Sequence, residues 1–226
     1  NNVSLCLPLY RTIRESCRLF PTGKSFSLVM GTRTLSADVW TSGEEPTPRA
    51  YFIGCDALFD REELYGTPDG DYGDNAVRFA FFSRAVLEMC IALKLRPDVI
   101  HCNDWQTGLL PLYLKGIYRE EKLFRKTAVL FTVHNLGYQG LFPAHELINT
   151  GLGWQYFAPS GIEFYGRISF MKAGLLYSDI LNTVSVTHAR EILGAEHGFG
   201  LEGVLKMSAN QPHILPIVSV WIQNCQ

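Results

Sequence analysis

Two short stretches concentrate side chains that could do chemistry. "HCNDWQTG" holds His101, Asn103, Asp104, Trp105 and Gln106, and "HNLGYQG" holds His134, Asn135, Tyr138 and Gln139. A third stretch offers Asn182, Thr183, Ser185 and Thr187, and "DYGDN" upstream offers Tyr72, Asp74 and Asn75. This inventory suits a sugar. Hydroxyl groups want paired donors and acceptors, and an aromatic face covers the apolar side of a pyranose ring.

Each residue also has a purely structural reading. Asp104 can cap a helix, Trp105 can fill core, and a lone His134 can be a satisfied buried histidine. Asn135 and Gly137 can form a turn, Asp74 and Asn75 can start a helix, and Asn182, Thr183 and Ser185 can satisfy loop backbone. Repetition weighs against these readings: two successive segments each present a His/Asn/Asp-type cluster together with an aromatic and a glutamine.

The elements that must position these residues are legible from periodicity. "NNVSLCLPLY" alternates as a strand, and "SFSLVMG", "LSADVWTSG" and "RAYFIGC" are further short runs separated by turn residues, suggesting a meander or hairpin ending near Cys55. Residues 63–75 are a loop by composition. Asp74 then caps a long helix over 75–95, with Val77, Phe81, Ala85, Met89 and Leu93 at helical spacing and Pro97 beyond its end. From there the rhythm is strand "DVIHC", helix about 107–118, strand "TAVLFTV", a loop-rich stretch to Gly161, helix "RISFMKAGLLYS", strand "DILNTVSV" and helix "THAREIL". "TAVLFTV" is apolar throughout, as a parallel strand covered on both faces should be. Alternating strand and helix argue for an α/β sandwich with a parallel sheet, and ligands of such sheets gather beyond the carboxyl ends of the strands.

Bulk composition removes several function classes. The chain has 226 residues, 47% apolar content and a net charge of −2, enough for one sizeable core and without the charge excess that would call for nucleic acid or an anionic membrane. No apolar run reaches the ~18–20 residues of a membrane helix, and the first residues do not read as a secretory signal. The six cysteines are scattered without a Cys-x-x-Cys pair, which predicts reduced, buried thiols rather than a disulfide framework or zinc site.

"YGDNAVRFAFFSRAVLE", "RPDVIHCNDWQTGLLPLYL", "FTVHNLGYQGLF" and "FMKAGLLYSDILNTVSVTHAREI...GFGLEGVL" together resemble the N-terminal domain of bacterial glycogen synthases and plant starch synthases, over about residues 1–206. The resemblance implies a Rossmann-like α/β domain of the GT-B fold and a retaining glucosyltransferase. Such an enzyme transfers glucose from ADP-glucose to the non-reducing end of an α-1,4-glucan, in a cleft between two Rossmann-like halves. It implies His134 as the active-site histidine of the "HNLxYQG" motif, accompanied by Asn135, Tyr138 and Gln139. It also implies Asp104 and Trp105 at the sugar site, and Tyr72 and Asn75 as substrate-binding residues of a "YxDN" segment. His134 and Asp104 are the expected catalytic residues. Nucleotide sugar and glucan are the expected partners, with no cofactor and no metal requirement.

The sequence departs from the family pattern in three places. It starts at what matches the second strand, without the Lys-Thr-Gly-Gly-Leu loop. Residues 207–226 diverge, and the C-terminal domain that carries the phosphate-binding cations is absent. Val186 stands where the family has proline. The expectation is therefore a single incomplete domain, 1–226, inactive by itself, from a plastid if plant or a cytoplasm if bacterial. The alternative is a non-catalytic glucan-binding or assembly module. A hydrolase using Asp104 and His134 lacks a nucleophile elbow or a spaced carboxylate pair.

Overall fold

A computed structural model describes residues 3–43, 48–209 and 215–219. It divides into two compact units, Asn1–Leu95 with Ile148–Gly151, and Arg96–Leu147 with Leu152–Gln226.

The first unit runs β1 (Ser4–Pro8), α1 (Arg11–Ser16), β2 (Phe20–Met30), β3 (Arg33–Thr41), β4 (Arg49–Gly54), α2 (Asp56–Phe59), a small hairpin of β5 (Gly66–Thr67) and β6 (Gly70–Asp71), and α3 (Asn75–Leu93). Strands β2, β3 and β4 form the expected antiparallel meander, and β1 adds to β4 in parallel, giving the order β1-β4-β3-β2. Helix α3 packs on β2 and is buried around its whole circumference from Asn75 to Phe82. Its composition, "NAVRFAFF", is apolar on every face but for Asn75 and Arg78, as a wholly buried helix requires. It ends where Lys94 turns left-handed (φ 56°) and Leu95 N–H closes back on Cys90 O at 2.8 Å, one residue before the Arg-Pro pair.

The N-terminus of α3 corrects one expectation. Asp74 occupies the cap position, but its carboxylate makes no capping hydrogen bond. It instead receives both arms of Arg61, Nη1 at 3.0 Å and Nη2 at 2.6 Å. A bidentate guanidinium is the stronger partner for a carboxylate.

The second unit holds β7 (Val99–Asn103), α4 (Leu109–Lys115), β8 (Ala128–Val133), β9 (Leu141–Pro143), α5 (Leu147–Thr150, shared with the first unit), β10 (Glu163–Phe164), β11 (Arg167–Ser169), α6 (Phe170–Tyr177), β12 (Ile180–Thr183), α7 (Val186–Glu191), α8 (Ala195–Gly198), α9 (Glu202–Ala209) and β13 (Leu215–Ser219). Four strands form a wholly parallel sheet in the order β13-β12-β8-β7. The predicted alternation is thus present, and β13 falls within the stretch expected to diverge. The rest of that tail, 210–214 and 220–226, lies outside the described residues.

The predicted helix "RISFMKAGLLYS" splits in two. Arg167–Ser169 extend as β11, pairing with β9 and β10, and Ser169 Oγ accepts from Lys172 N at 3.1 Å to start α6. A serine before an apolar run is a capping signal, and the helix begins there. Gly174 lets α6 lie on the sheet: a Cβ there would fall 2.3 Å from the Phe131 ring of β8. Ser185 caps α7 in the same way, accepting from His188 N at 3.0 Å, so Val186 is the first helical residue, a position that proline also fits. Cys55, Cys90 and Cys102 are the expected buried free thiols, and burial pushes Cys102 up to about 12, whereas Cys6 is half-buried and Cys17, on the short α1–β2 connection, is exposed.

Candidate functional site

Strands β7, β8 and β12 run parallel in register, with Asn103 beside Thr132 and Thr183 beside Val133. Their polar terminal residues therefore arrive along one edge of the sheet. Asp104 is the first residue beyond β7 and has φ 54°, ψ −172°, a backbone conformation that side-chain-bearing residues rarely adopt. Such strain costs of order 1–3 kcal/mol and persists where the surroundings over-determine it. Here Asp104 N–H donates to Thr132 O at 3.0 Å, while the carboxylate reaches across the end of β8.

That carboxylate does not cap the helix that follows it. Its Oδ1 accepts from His134 N at 2.8 Å and, more weakly, from Asn135 N at 3.4 Å, and its Oδ2 faces His134 Nδ1 at 3.0 Å. Both residues therefore belong to one constellation. The carboxylate fixes the ring and, as an acceptor, selects the tautomer with the proton on Nδ1. His134 is exposed, and its Nε2 has no hydrogen-bond partner among the described residues. In that tautomer Nε2 presents a lone pair outward, able to accept from a hydroxyl.

Behind this pair, Thr132 Oγ1 donates to Asn182 Oδ1. It has one proton to give, so at 2.6 Å it accepts from His101 Nε2–H. Burial, and then the neighbouring His134, lower the pKa of His101 and favour its neutral form. Thr183 Oγ1 likewise donates to Val133 O at 2.6 Å and meets His188 Nδ1 at 2.5 Å. Asn182, Thr183 and Ser185 are thus committed to framework and cap, in line with their structural reading. Thr132, hidden in the apolar run "TAVLFTV", was not singled out in sequence.

The "YQG" turn divides its duties. Tyr138 is 71% exposed, whereas Gln139 is 6% exposed. Gln139 Nε2 donates to Phe199 O at 3.0 Å, tying this turn to the "GFG" segment. Gly140 has φ +58°, and a Cβ there would meet Trp105 Cε3 at 2.5 Å. Trp105 is buried, packing also on Phe142 with ring centroids 5.8 Å apart. Asn135 Oδ1 accepts from Gly137 N at 2.9 Å, the turn-forming role. Two cations that follow the turn are engaged by backbone: Lys172 Nζ donates to Pro159 O (2.7 Å) and Glu163 O (2.6 Å), and Arg167 Nη2 to Leu141 O (2.6 Å).

In the first unit, Tyr72 N–H donates to Tyr65 O at 2.9 Å, and the Tyr72 hydroxyl accepts from Glu63 N at 3.4 Å. Asn75 is 2% exposed, donating from Nδ2 to Tyr65 O at 2.8 Å and accepting from Arg78 Nη1 at 2.7 Å. Among the described residues no group of three or more His, Cys, Asp or Glu side chains could hold a metal ion, and no helix is long and apolar enough to cross a membrane.

Comparison with known proteins adds the following. The family model for the starch synthase catalytic domain matches residues 1–207. A glycogen synthase of Thermodesulfovibrio yellowstonii is 55% identical over 164 residues, covering 72% of this chain and 33% of the relative. One from Koribacter versatilis is 51% identical over 207 residues, 91% of this chain and 42% of its own length. The solved catalytic domain of Starch Synthase IV from Arabidopsis thaliana, bound to ADP and acarbose, superposes with a TM-score of 0.82 at 28% identity, covering 96% of this chain and 44% of that one. The chain thus spans well under half the length of these relatives.

Proposed function

The chain belongs to the starch synthase catalytic-domain family, and from that premise we propose that it forms part of a retaining glucosyltransferase that moves glucose from ADP-glucose to the non-reducing end of an α-1,4-glucan. The observation that carries this reading is the Asp104–His134 pair at the ends of adjacent parallel strands, with His134 Nε2 left free. ADP and acarbose, a nucleotide and an oligosaccharide analogue, are what the Arabidopsis relative holds, and they fit the same substrate class here.

Transfer of glucose passes through an oxocarbenium-like state, so the site has to hold sugar hydroxyls while positive charge develops. His134 is the group that touches the sugar, accepting from a hydroxyl through Nε2. Asp104 acts mainly through His134, fixing its ring and its proton, and adds negative potential near the developing charge. Tyr138 and Asn135 supply further polar contacts. Trp105 and Gln139 hold the turn in shape, Tyr72 is a further substrate-binding residue, and the buried Asn75 supports the segment that carries it. Cations for the leaving diphosphate come from the remainder of the longer protein, since Lys172 and Arg167 are tied to backbone carbonyls. Of the two settings considered, bacterial cytoplasm fits the bacterial relatives better than plastid stroma.

The test is glucan extension from labelled ADP-glucose on a maltooligosaccharide primer. The longer protein that carries this chain should extend the primer. His134→Ala should lower its turnover roughly 30- to 1000-fold, the value of one transition-state hydrogen bond of about 2–4 kcal/mol. The 226 residues alone should extend nothing, because loss of positioning removes ~7–11 kcal/mol of barrier lowering. A non-catalytic glucan-binding module would leave both proteins inactive while binding the primer.

A further inference from the structure

Arg78 is the largest fully buried side chain among the described residues, at 0% exposure. It sits one turn into α3, three residues after Asn75, within an otherwise apolar run. Burying a cation costs several kcal/mol unless a counter-charge meets it. Asp74, four residues earlier, is the nearest carboxylate in sequence, and it is taken by Arg61. Arg78 is instead held by neutral groups. Its Nε donates to Leu58 O at 2.8 Å and its Nη1 to Asn75 Oδ1 at 2.7 Å, while Nη2 has no partner among the described residues. Its guanidinium carbon lies over three aromatic rings: Tyr72 at 5.0 Å, Phe79 at 5.3 Å and Phe59 at 5.7 Å. Desolvation accordingly lowers its pKa.

An apolar side chain of similar volume would fill this space without that penalty. What it could not do is hold Tyr72, the residue of the "DYGDN" segment that serves the substrate in the reading above, together with the buried Asn75 of the same segment. Asn75 has its amide turned by two partners, Arg78 on Oδ1 and Tyr65 O on Nδ2. Tyr72 has two guanidinium groups over its ring, Arg61 at 4.7 Å and Arg78 at 5.0 Å. Its hydroxyl oxygen accepts from backbone, so its own O–H proton remains available for a ligand oxygen. Only a planar fork can hydrogen-bond Leu58 O and Asn75 together while stacking on the tyrosine.

We propose that Arg78 is a positioning residue: its buried guanidinium, together with the buried Asn75 that it anchors, holds Tyr72 so that the tyrosine hydroxyl can meet the substrate, without touching the substrate itself. The proposal rests on the glucosyltransferase reading for its kinetic consequence but not for its geometric one.

The test uses Arg78→Lys and Arg78→Met in the longer protein that carries this chain. Lysine keeps the charge and one hydrogen bond but loses the fork. With 3-fluorotyrosine incorporated, the Tyr72 fluorine signal, assigned by its loss in Tyr72→Phe, should shift and broaden in both variants. In extension assays kcat/KM should fall tenfold or more in Arg78→Lys. Adding Tyr72→Phe to Arg78→Lys should cost less than Tyr72→Phe costs alone, because the tyrosine is already misplaced. A Tyr72 signal unmoved in both variants overturns the proposal, as do kinetic constants within twofold of wild type or effects that multiply independently. If the parent protein transfers no glucose, the glucosyltransferase reading fails and the fluorine spectra still decide the positioning. If neither variant folds, the wild-type guanidinium resonances decide. Slow Arg78 Nε–H exchange with contacts to the Tyr72 ring supports the proposal, and solvent-rate exchange without them overturns it.

Discussion

Asp104→Asn tests the link between carboxylate and imidazole with little change of shape. In the wild type Oδ1 takes two backbone donors, His134 N at 2.8 Å and Asn135 N at 3.4 Å, and Oδ2 takes Nδ1–H at 3.0 Å. A carboxamide keeps one oxygen, and the two backbone donors claim it, because the opposite orientation would set an NH2 against them. The NH2 then stands where Oδ2 stood, facing Nδ1. A neutral His134 must move its proton to Nε2 to accept that bond. The folding cost is the exchange of three charge-assisted hydrogen bonds, one of them long, for neutral ones, about 1–2 kcal/mol, or roughly 2–8 °C in melting temperature for a protein of this size. The catalytic cost is far larger. Nε2 now offers a donor where a sugar hydroxyl needs an acceptor, and losing that contact at the transition state is worth about 2–4 kcal/mol, on the order of 30- to 1000-fold in turnover. Long-range proton–nitrogen correlations on the 15N-labelled chain read the tautomer directly, and kcat is then measured in the longer protein. The double variant with His134→Ala should lose no more than the worse single one, since both remove one device. An unprotonated Nδ1 in the wild type at neutral pH, or turnover of Asp104→Asn within twofold of wild type, would refute this reasoning.

Gly140→Ala should destabilise the fold by roughly 2–4 kcal/mol, measured by urea unfolding. The residue adopts φ +58° and its Cβ would overlap the buried Trp105, so backbone strain and overpacking add. Lys172→Met should strand two carbonyl oxygens, Pro159 O and Glu163 O, and lower stability by about 2–4 kcal/mol in the same assay. His101 makes stability pH-dependent. Its folded pKa lies below the ordinary histidine value of 6.5, so the unfolded chain binds more protons in that window. Its contribution is fully present above pH 6.5 and is lost as pH falls through the folded value. His101→Gln, which can still donate to Thr132, should flatten the dependence of the urea midpoint between pH 7 and pH 5.

Much of the scaffold follows from local chemistry that a sequence displays openly. "TAVLFTV" is apolar but for its two threonines because β8 is a central strand, paired with β7 and β12 at its edges and with no exposed residue along its faces, and the alternation around it dictates a parallel sheet whose carboxyl edge gathers the polar residues. Ser169 and Ser185 start α6 and α7 because a hydroxyl there satisfies a free helix N–H, a signal that the periodicity reading passes over by running a helix through Ser169 and a strand through Ser185. The pairing of Asp104 with His134 was legible as two polar strand ends, since parallel strands must deliver both to one edge.

Partner choice was not legible, because it depends on distances that spacing along the chain does not encode. Asp74 and Asp104 both stand where a helix cap is expected, yet a guanidinium thirteen residues upstream claims one and an imidazole thirty residues downstream claims the other. The Arg61 guanidinium brings a full positive charge to Asp74, and the end of β8 brings Asp104 two donors from one residue, the His134 amide and ring N–H, where a cap offers a single amide. Gln139 and Asn75 carry the hydrogen-bonding groups of sugar ligands, but tertiary packing buries both, spending Gln139 Nε2 on Phe199 O and both ends of the Asn75 amide on Tyr65 O and Arg78. Sequence alone thus determined which chemistry is available and at which end of the sheet it collects. Only the folded structure decided which groups remain free to meet a substrate, because a buried polar atom must first be satisfied by whatever neighbour the fold brings within 3 Å.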